Sequence, residues 1–459
     1  MVPDLAHVFK STDDDSNSIF TECKYYLPND IVSIKEDYHL KIMHLNIHSV
    51  ASKLSDLKDL LATLAEAGKE IDIILLCETF ITDNNLRLCS LPGYNLEEKH
   101  RSSKLGGGVA VYVNSRIKYK CRDDLSIFDE GKFESCFIEV TCKNKNAVIG
   151  ELYRVPNSSE SEFQSKYESI VSKVCHENKN LVIGTDQNLD LLKCNIHTNT
   201  SNFLNFNLSA GLLPMLTKPT RITHQTATLI DNFYINSSIT NDSRSAILVS
   251  DISDHFPCLL FMKKEYVKQK DSLEFSYRKL NEESITRIKA DLSNVDWSCL
   301  NNTSMNESYE FFSDKISQVQ EKHAPLKIVK IPPKYVIRDP WMTQALIKSS
   351  QTCHNMYSKV KDSDRKSPEF VAFKQYRNQY NVLKRQMKNQ YYASKIEEFK
   401  NDSAKLWKLL NALIGKTSDK SSLTDTFLIN GNLCSDPTKI SNEFCNYFTN
   451  VGKNLASQI

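Results

Sequence analysis

Long apolar runs are missing from this chain. No window holds the roughly 20 consecutive apolar residues that a membrane-spanning helix needs, so no such span is expected. The opening residues, MVPDLAHVFKSTDDDS, have no basic flank leading into an apolar core, and predict no secretory leader. Cysteines at metal-binding spacing are missing too. The sequence has 13 cysteines but no CxxC pair, and close spacings such as Cys77 to Cys89 and Cys136 to Cys142 do not match a zinc frame. Several lie in apolar runs, such as Cys77 in IDIILLC and Cys258 in CLLFM, and read as buried thiols of an intracellular protein with no disulfide-linked partner. An excess of one charge is missing as well, since 58 Lys and Arg face 56 Asp and Glu. That balance conceals an asymmetry. Residues 321–420 carry 21 basic and 9 acidic side chains, and the remainder carries 37 and 47. With 459 residues, 40% of them hydrophobic and 25% charged, a wholly disordered chain is excluded and a packed core is expected.

Residues 1–38 read as a polar lead-in. From about 39 to 264, strand-length apolar runs alternate with helical periodicity: LKIMHL (40–45), IDIILLC (71–77), GVAVYV (108–113), CFIEVT (136–141), AVIGELY (147–153), LVIGT (181–185), LIDNFYI (229–235) and CLLFM (258–262). Leu54, Leu57, Leu60, Leu61 and Leu64 share one helical face, as do Phe163, Tyr167, Ile170, Val171 and Val174. The alternation predicts one α/β (α+β) domain. A polar run, KKEYVKQKDS, follows Met262, and 265–340 reads as a helix and loop linker with an extended, proline-punctuated end at 329–341. From 341 to 459 the chain reads as a basic helical region. Arg377, Lys384, Lys388 and Lys395 fall in one direction beside an apolar stripe containing Tyr376, Tyr380 and Tyr391. A one-signed face next to tyrosines favours nucleic acid, DNA or RNA, over a merely solvated surface.

The chemistry-bearing residues sit at the ends of the predicted strands, where open α/β sheets build their sites. They are Asn46, Glu78, Tyr153 with Arg154, Asp186 with Asn188, Thr220 with Arg221, Asp231, and Ser253-Asp254-His255. Singly, each has an ordinary alternative: a cap, an Asx turn, a core aromatic. Together they form a carboxylate, amide and imidazole set without a thiol nucleophile or a Ser-centred elbow. Oxygen ligands of this kind suit Mg²⁺. A His paired with an Asp suits proton transfer to or from water. The set reads as metal-assisted attack on a phosphate ester. Gly106-Gly107-Gly108 runs into a strand rather than a helix, and reads as a tight turn rather than a phosphate cradle.

In order and spacing, MHLNIH, ILLCETF, GELYRVP, GTDQN, LIDNFY and SDHFP resemble the motifs of the endonuclease/exonuclease/phosphatase superfamily over about 40–262. LNIHSVASKLSDL, KLGGGVAVYV, KPTRIT and SDHFP resemble the endonuclease of jockey-type non-LTR retrotransposons, and the stretch from YRKLNEES to WKLLNALIGK resembles the segment leading to a reverse transcriptase. The polymerase signature Tyr-x-Asp-Asp is not in the sequence, so no reverse transcriptase activity is expected of it. The resemblance implies a four-layered α/β/β/α sandwich followed by a helix-rich basic region. It implies a Mg²⁺-dependent DNA endonuclease, with Mn²⁺ as an alternative ion, that exposes a 3′-hydroxyl primer and works in the nucleus. Element RNA would be a further partner of the basic region. Glu78 would hold the metal with Asn46 beside it, and Asp254 would be a further metal-side carboxylate. Asp231 would orient His255, which acts as base or contacts the phosphate, while Asp186, positioned with Asn188, is the rival for activating water. Tyr153 would hydrogen-bond a phosphate oxygen, and Arg154, Thr220, Arg221 and Ser253 would bind substrate. Two positions depart from the family pattern: His48 stands where many members have Asp, and GTDQN is one residue longer between Gly and Asp. A repair-type apurinic-site endonuclease, a phosphatase, or a catalytically silent nucleic-acid-binding remnant are the competing expectations.

Overall fold

Runs of Ile, Leu and Val with no polar face become strands covered on both sides. In this computed structural model, residues 4–5, 23–102, 106–267, 274–301, 304–330, 338–414, 427–429 and 432–456 are described. The proline-punctuated stretch at 331–337 and the second half of the polar run after Met262 lie outside them, as does most of the N-terminal lead-in. In chain order the first strands are β1 (Lys24–Tyr26), β2 (Leu40–Asn46), β3 (Ile73–Cys77), β4 (Tyr94–Lys99), β5 (Val109–Asn114), β6 (Tyr119–Cys121), β7 (Phe128–Asp129) and β8 (Phe133–Val140). They are followed by β9 (Ala147–Arg154), β10 (Asn180–Asp186), β11 (Leu212–Pro214), β12 (Arg221–Ile222), β13 (Ala227–Thr228), β14 (Asp231–Asn236), β15 (Ser243–Leu248) and β16 (Cys258–Met262). Among them lie three helices, α1 (Val50–Glu66), α2 (Glu160–His176) and α3 (Thr198–Ser209).

One sheet has the order β1-β15-β16-β2-β3-β5-β4, the other β11-β14-β10-β9-β8-β6 with β7 on β8. They pack face to face. Because strand side chains alternate between faces, Ile73 and Leu75 point between the sheets with Ile42, Val111, Ile138 and Val182. Ile74 and Leu76 point outward with Met43 and Leu45, against Leu57, Leu60 and Leu64 of α1. On the other outer face Phe163 and Tyr167 of α2 and Phe203 of α3 cover Tyr234, with the Tyr167 and Phe203 rings 4.9 Å apart. Each fully buried side chain of this size contributes about 1.5–3 kcal/mol. This is the four-layered α/β/β/α sandwich expected from the sequence. It reaches further back than the expected lead-in suggests, because β1 pairs with β15 and Ile31 and Ile34 are buried.

A β-hairpin of β17 (Glu274–Arg278) and β18 (Leu326–Lys330) encloses α4 (Glu282–Ser293) and α5 (Met305–His323), which Asp291 links to Lys322 and His323 at 2.8 and 2.7 Å. Two basic helices follow, α6 (Gln344–Val360) and α7 (Pro368–Phe399). The chain falls into two compact units, Met1–Tyr392 and Ala393–Ile459, with the division inside α7. The physical reason is that the stretch from Arg338 to Tyr392 docks on the sandwich. Arg338 donates to Asp59 Oδ1 at 2.6 Å and Thr63 Oγ1 at 2.8 Å on α1. Lys384 pairs with Asp56, and Arg377 and His354 both approach Asp251 at 3.3 Å. Trp341, Leu346, Cys353 and Tyr380 form a small core of their own. The second unit contains α8 (Ser403–Leu413), a hairpin of β19 (Phe427–Ile429) and β20 (Asn432–Cys434), and α9 (Pro437–Ala456), with the Phe427 and Phe444 rings 5.3 Å apart. The cysteines whose side chains are described are all free, and among the described residues no helix is long and apolar enough to cross a membrane.

Candidate active site

Strand register assembles the site. Asp231 on β14 lies directly opposite Asp186 on β10, and Asp186 lies beside Tyr153 on β9. In the facing sheet β2 and β3 set Asn46 beside Cys77, one residue before Glu78. The Asn46 amide joins the two sheets: Nδ2 donates to Glu78 Oε1 at 2.8 Å and to Asp186 Oδ2 at 3.0 Å. The loops after these strands are strained. Among the described residues, five of the seven non-glycine positions with positive φ are here, namely His48, Ser49, Glu78, Phe80 and Asn188, and such backbone persists only where its surroundings hold it. The glycine turn does part of the holding. Gly106, Gly107 and Gly108 all have positive φ, and the carbonyls of Gly107 and Gly108 accept from Phe80 and Thr79 at 2.9 and 3.3 Å. The turn expected at this position therefore braces the backbone that carries Glu78.

Glu78 has three donors. Tyr153 Oη donates to Oε1 at 2.9 Å, beside Asn46, and His48 Nδ1 lies 2.9 Å from Oε2. Burial pushes the Glu78 carboxyl up, but these hydrogen bonds outweigh it and hold it below the usual value. Asn46 Oδ1 is buried and has no hydrogen-bond partner. An orphaned amide oxygen next to a carboxylate kept ionised is a donor set that fits an oxygen-seeking divalent cation.

The second half of the site is a chain of buried charge. His255 Nδ1 lies 2.9 and 3.0 Å from the two Asp231 oxygens. Thr220 Oγ1 donates to Asp231 Oδ2 at 2.5 Å. Below them His44 bridges inward, with Nε2 3.4 Å from Asp231 Oδ1 and Nδ1 2.9 Å from Glu151 Oε2. Burial opposes charge on both imidazoles. Even so, Asp231 and Asp186 lift His255 to about 9, and Glu151 and Asp231 lift His44 to about 10. Asp231, though buried, is held well below the carboxylate range by the same histidines. Burial, then the charge of Asp231, pushes Asp186 up to about 7, and burial pushes Glu151 to about 7. Asp186, Asp231 and His255 bring their ligand or proton-accepting atoms within 4.8 Å of one another and titrate as a set.

The remaining residues singled out in the sequence fall into distinct places. Asp254 receives Arg221 through Nε at 2.9 Å and Nη2 at 2.8 Å, and Ser253 Oγ donates to its other oxygen at 3.3 Å. Arg221 also bridges backbone to His255, and Phe256 N donates to Thr220 O at 2.8 Å, so KPTRIT and SDHFP are stitched together. Thr220 is fully buried and donates to Asp231. Arg154 is likewise buried. Its guanidinium donates to the carbonyls of Gln187, Ser158 and Asn188 at 2.7, 3.0 and 2.8 Å, because the strained 186–188 loop needs those donors. Asn188 N donates to Asp186 Oδ1 at 3.2 Å. Of the basic stripe, Arg377 and Lys384 pair with the sandwich, Lys388 is exposed, and Lys395 pairs with Glu398 in the second unit. Sequence reasoning missed His44 and Glu151. The signal was present: each lies two residues before a site residue on the same strand face, Asn46 and Tyr153, as a charge inside an otherwise apolar run.

No protein-family profile matches the chain, and no curated protein does. Solved structures similar to it include the endonuclease domain of TRAS1, a telomere-specific non-LTR retrotransposon, at 12% identity over 49% of this chain and 98% of that one, with a TM-score of 0.39. An AP endonuclease from Archaeoglobus fulgidus is 14% identical over 49% and 99%, with a TM-score of 0.37. An endonuclease/exonuclease/phosphatase family protein from Bacteroides thetaiotaomicron is 13% identical over 48% and 96%, with a TM-score of 0.34. Nucleases of the superfamily that the motifs resemble are therefore among the structures to which this chain is similar.

Proposed function

We propose that this chain is a divalent-metal-dependent DNA endonuclease that hydrolyses a phosphodiester to leave a 3′-hydroxyl, serving a non-LTR retrotransposon. The observation that supports it is the single buried cluster of Asn46, Glu78, Asp186, Asp231 and His255, drawn from both sheets. Glu78 and the free Asn46 Oδ1 would hold the cation. Bound Mg²⁺, or Mn²⁺ in its place, would neutralise charge developing on the phosphate. Water attacks phosphorus in line, the bond to the 3′-oxygen breaks, and that oxygen takes a proton from solvent. Asp186 is the residue we assign to accept the proton from the attacking water, since a carboxyl pushed to about 7 is half ionised near neutrality. His255, lifted to about 9, carries its proton at neutral pH and suits donation to a phosphate oxygen instead. The backbone N–H of Asn188 orients Asp186, and Asp231 with Thr220 orients His255.

The test is nicking of supercoiled plasmid by the full chain. Relaxation with Mg²⁺, abolished by EDTA and lowered about 10²–10⁴-fold in Asp186→Asn and His255→Ala, supports the reading. Extension of the nick by a polymerase would report the 3′-hydroxyl. A wild-type chain that never nicks would leave the silent nucleic-acid-binding remnant in its place. Strong preference for a duplex carrying an abasic site would replace it with a repair-type enzyme.

A further inference from the structure

A groove of about 270 Å³ adjoins the candidate site on the side of Asp254. Three distant parts of the chain enclose it: Lys53 on α1, the β12–β13 hairpin through His224, and the α6–α7 corner through Lys361, Arg365 and Arg377. The walls are mainly cationic. Arg377 lies 3.3 Å from Asp251, His224 3.7 Å from Asp364, and Lys361 stands over the Tyr25 ring and reaches Asp362 at 3.4 Å. Lys53 and Arg365 make no hydrogen bond or ion pair with any described residue. Lys53 is half-buried in that state, and Arg365 is exposed at the mouth. A half-buried ammonium without a partner beside another free cation is a site prepared for an anion.

We propose that the α6–α7 corner is one wall of the substrate cleft, and that the DNA backbone beside the scissile phosphate lies in this groove, with phosphates on Lys53 and Arg365. This rests on the reading of the site as a DNA nuclease. The charge distribution favours a polyanion: residues 321–420 carry 21 basic and 9 acidic side chains, whereas 39–264 carry 25 and 26, so the sandwich alone offers DNA no net attraction. Docking of the basic segment adds Lys361, Arg365 and Arg377 beside Asp254. Continuity with Asp254, itself paired to Arg221, sets the groove in line with the reacting centre.

The test uses the full chain with Lys53→Gln and Arg365→Gln together. Its control is Lys143→Gln with Lys264→Gln, at the opposite end of β15 and β16. Binding of a labelled DNA duplex is measured by anisotropy against salt in EDTA, and nicking separately at saturating plasmid with Mg²⁺. Two lost phosphate contacts should lower the slope of log K against log salt by about 1.8. Affinity near physiological salt should fall about tenfold, with thermal unfolding unchanged. An unaltered slope and affinity, while the wild type nicks normally, would overturn the groove and leave the nuclease standing. A groove-dependent slope in a chain that never nicks would do the reverse. Loss of binding to single-stranded RNA but not to duplex DNA would also overturn the proposal, since the groove would then be an RNA site. Arg365→Glu, on an exposed side chain, provides a second variant whose effect on the slope should exceed that of Arg365→Gln.

Discussion

His44 touches no solvent, yet two carboxylates depend on it. With Glu151 on one ring nitrogen and Asp231 on the other, it is the positive centre that allows both to be buried. Removing one member of such a set leaves an uncompensated charge, at about 3–5 kcal/mol. His44→Leu should therefore lower unfolding free energy in urea by about that much. His44→Leu with Glu151→Leu should recover a large part of it, and the non-additivity of the two measures their coupling. The same scale governs pH. His255 titrates near 6.5 when unfolded and about 9 when folded, so its contribution is complete below about 6.5 and disappears as pH climbs through 9. Asp186, raised from 3.8 to about 7, adds a decline over that interval. Asp231, depressed below 3.8, contributes above that value and loses its share only in strong acid. Glu151, raised to about 7, and His44, raised to about 10, add to the same two intervals. Urea midpoints between about pH 5 and 10 should thus fall in two steps, the lower one smaller in Asp186→Asn and the upper one smaller in His255→Gln.

Elements carry the site by register, and the strands that matter most were the easiest to read. LKIMHL, IDIILLC, LVIGT and CLLFM are buried on both faces, so each is a mainly apolar run whose length marks its ends to within one or two residues. The short edge strands β1, β6, β11, β12 and β13 were not legible, because two or three residues carry no periodicity and are defined by a partner elsewhere in the chain. The same limit explains Arg154. An Arg after a strand is indistinguishable in sequence from a surface contact, and only the positive φ at Asn188 and the turned carbonyls beside it create its employment. The glycine turn is the element most exposed to a single change. Gly108 has φ +85°, and a methyl group there would stand 2.7 Å from Thr79 Oγ1. Gly108→Ala should cost about 1–2 kcal/mol from the left-handed backbone, and should lower the nicking rate by more than that loss of stability implies, since Thr79 adjoins Glu78.

At the scale of the molecule, the basic helical region that begins at 341 is partly built into the first unit. Nothing in its own sequence announces this, since Arg338, Lys384 and Arg377 find Asp59, Asp56 and Asp251 only across the folded structure. Arg338→Ala should leave Asp59 with Ser350 alone, at about 3 kcal/mol, and should speed hydrogen exchange across Gln344–Val360 more than across β3 or β10. If exchange in the helix were unchanged, the ion pairs would not be what fastens it.

The ion pairs between α1 and the following helices also impose an order on synthesis. A chain emerging from the ribosome exposes β1 to β16 well before Arg338, Arg377 and Lys384 leave the exit tunnel. During that interval Asp56, Asp59 and Asp251 face solvent without their partners, and the nascent sandwich presents a local acidic surface that the finished protein lacks. Translation of the basic helices thus closes that surface and, in the same event, completes the wall beside Asp254.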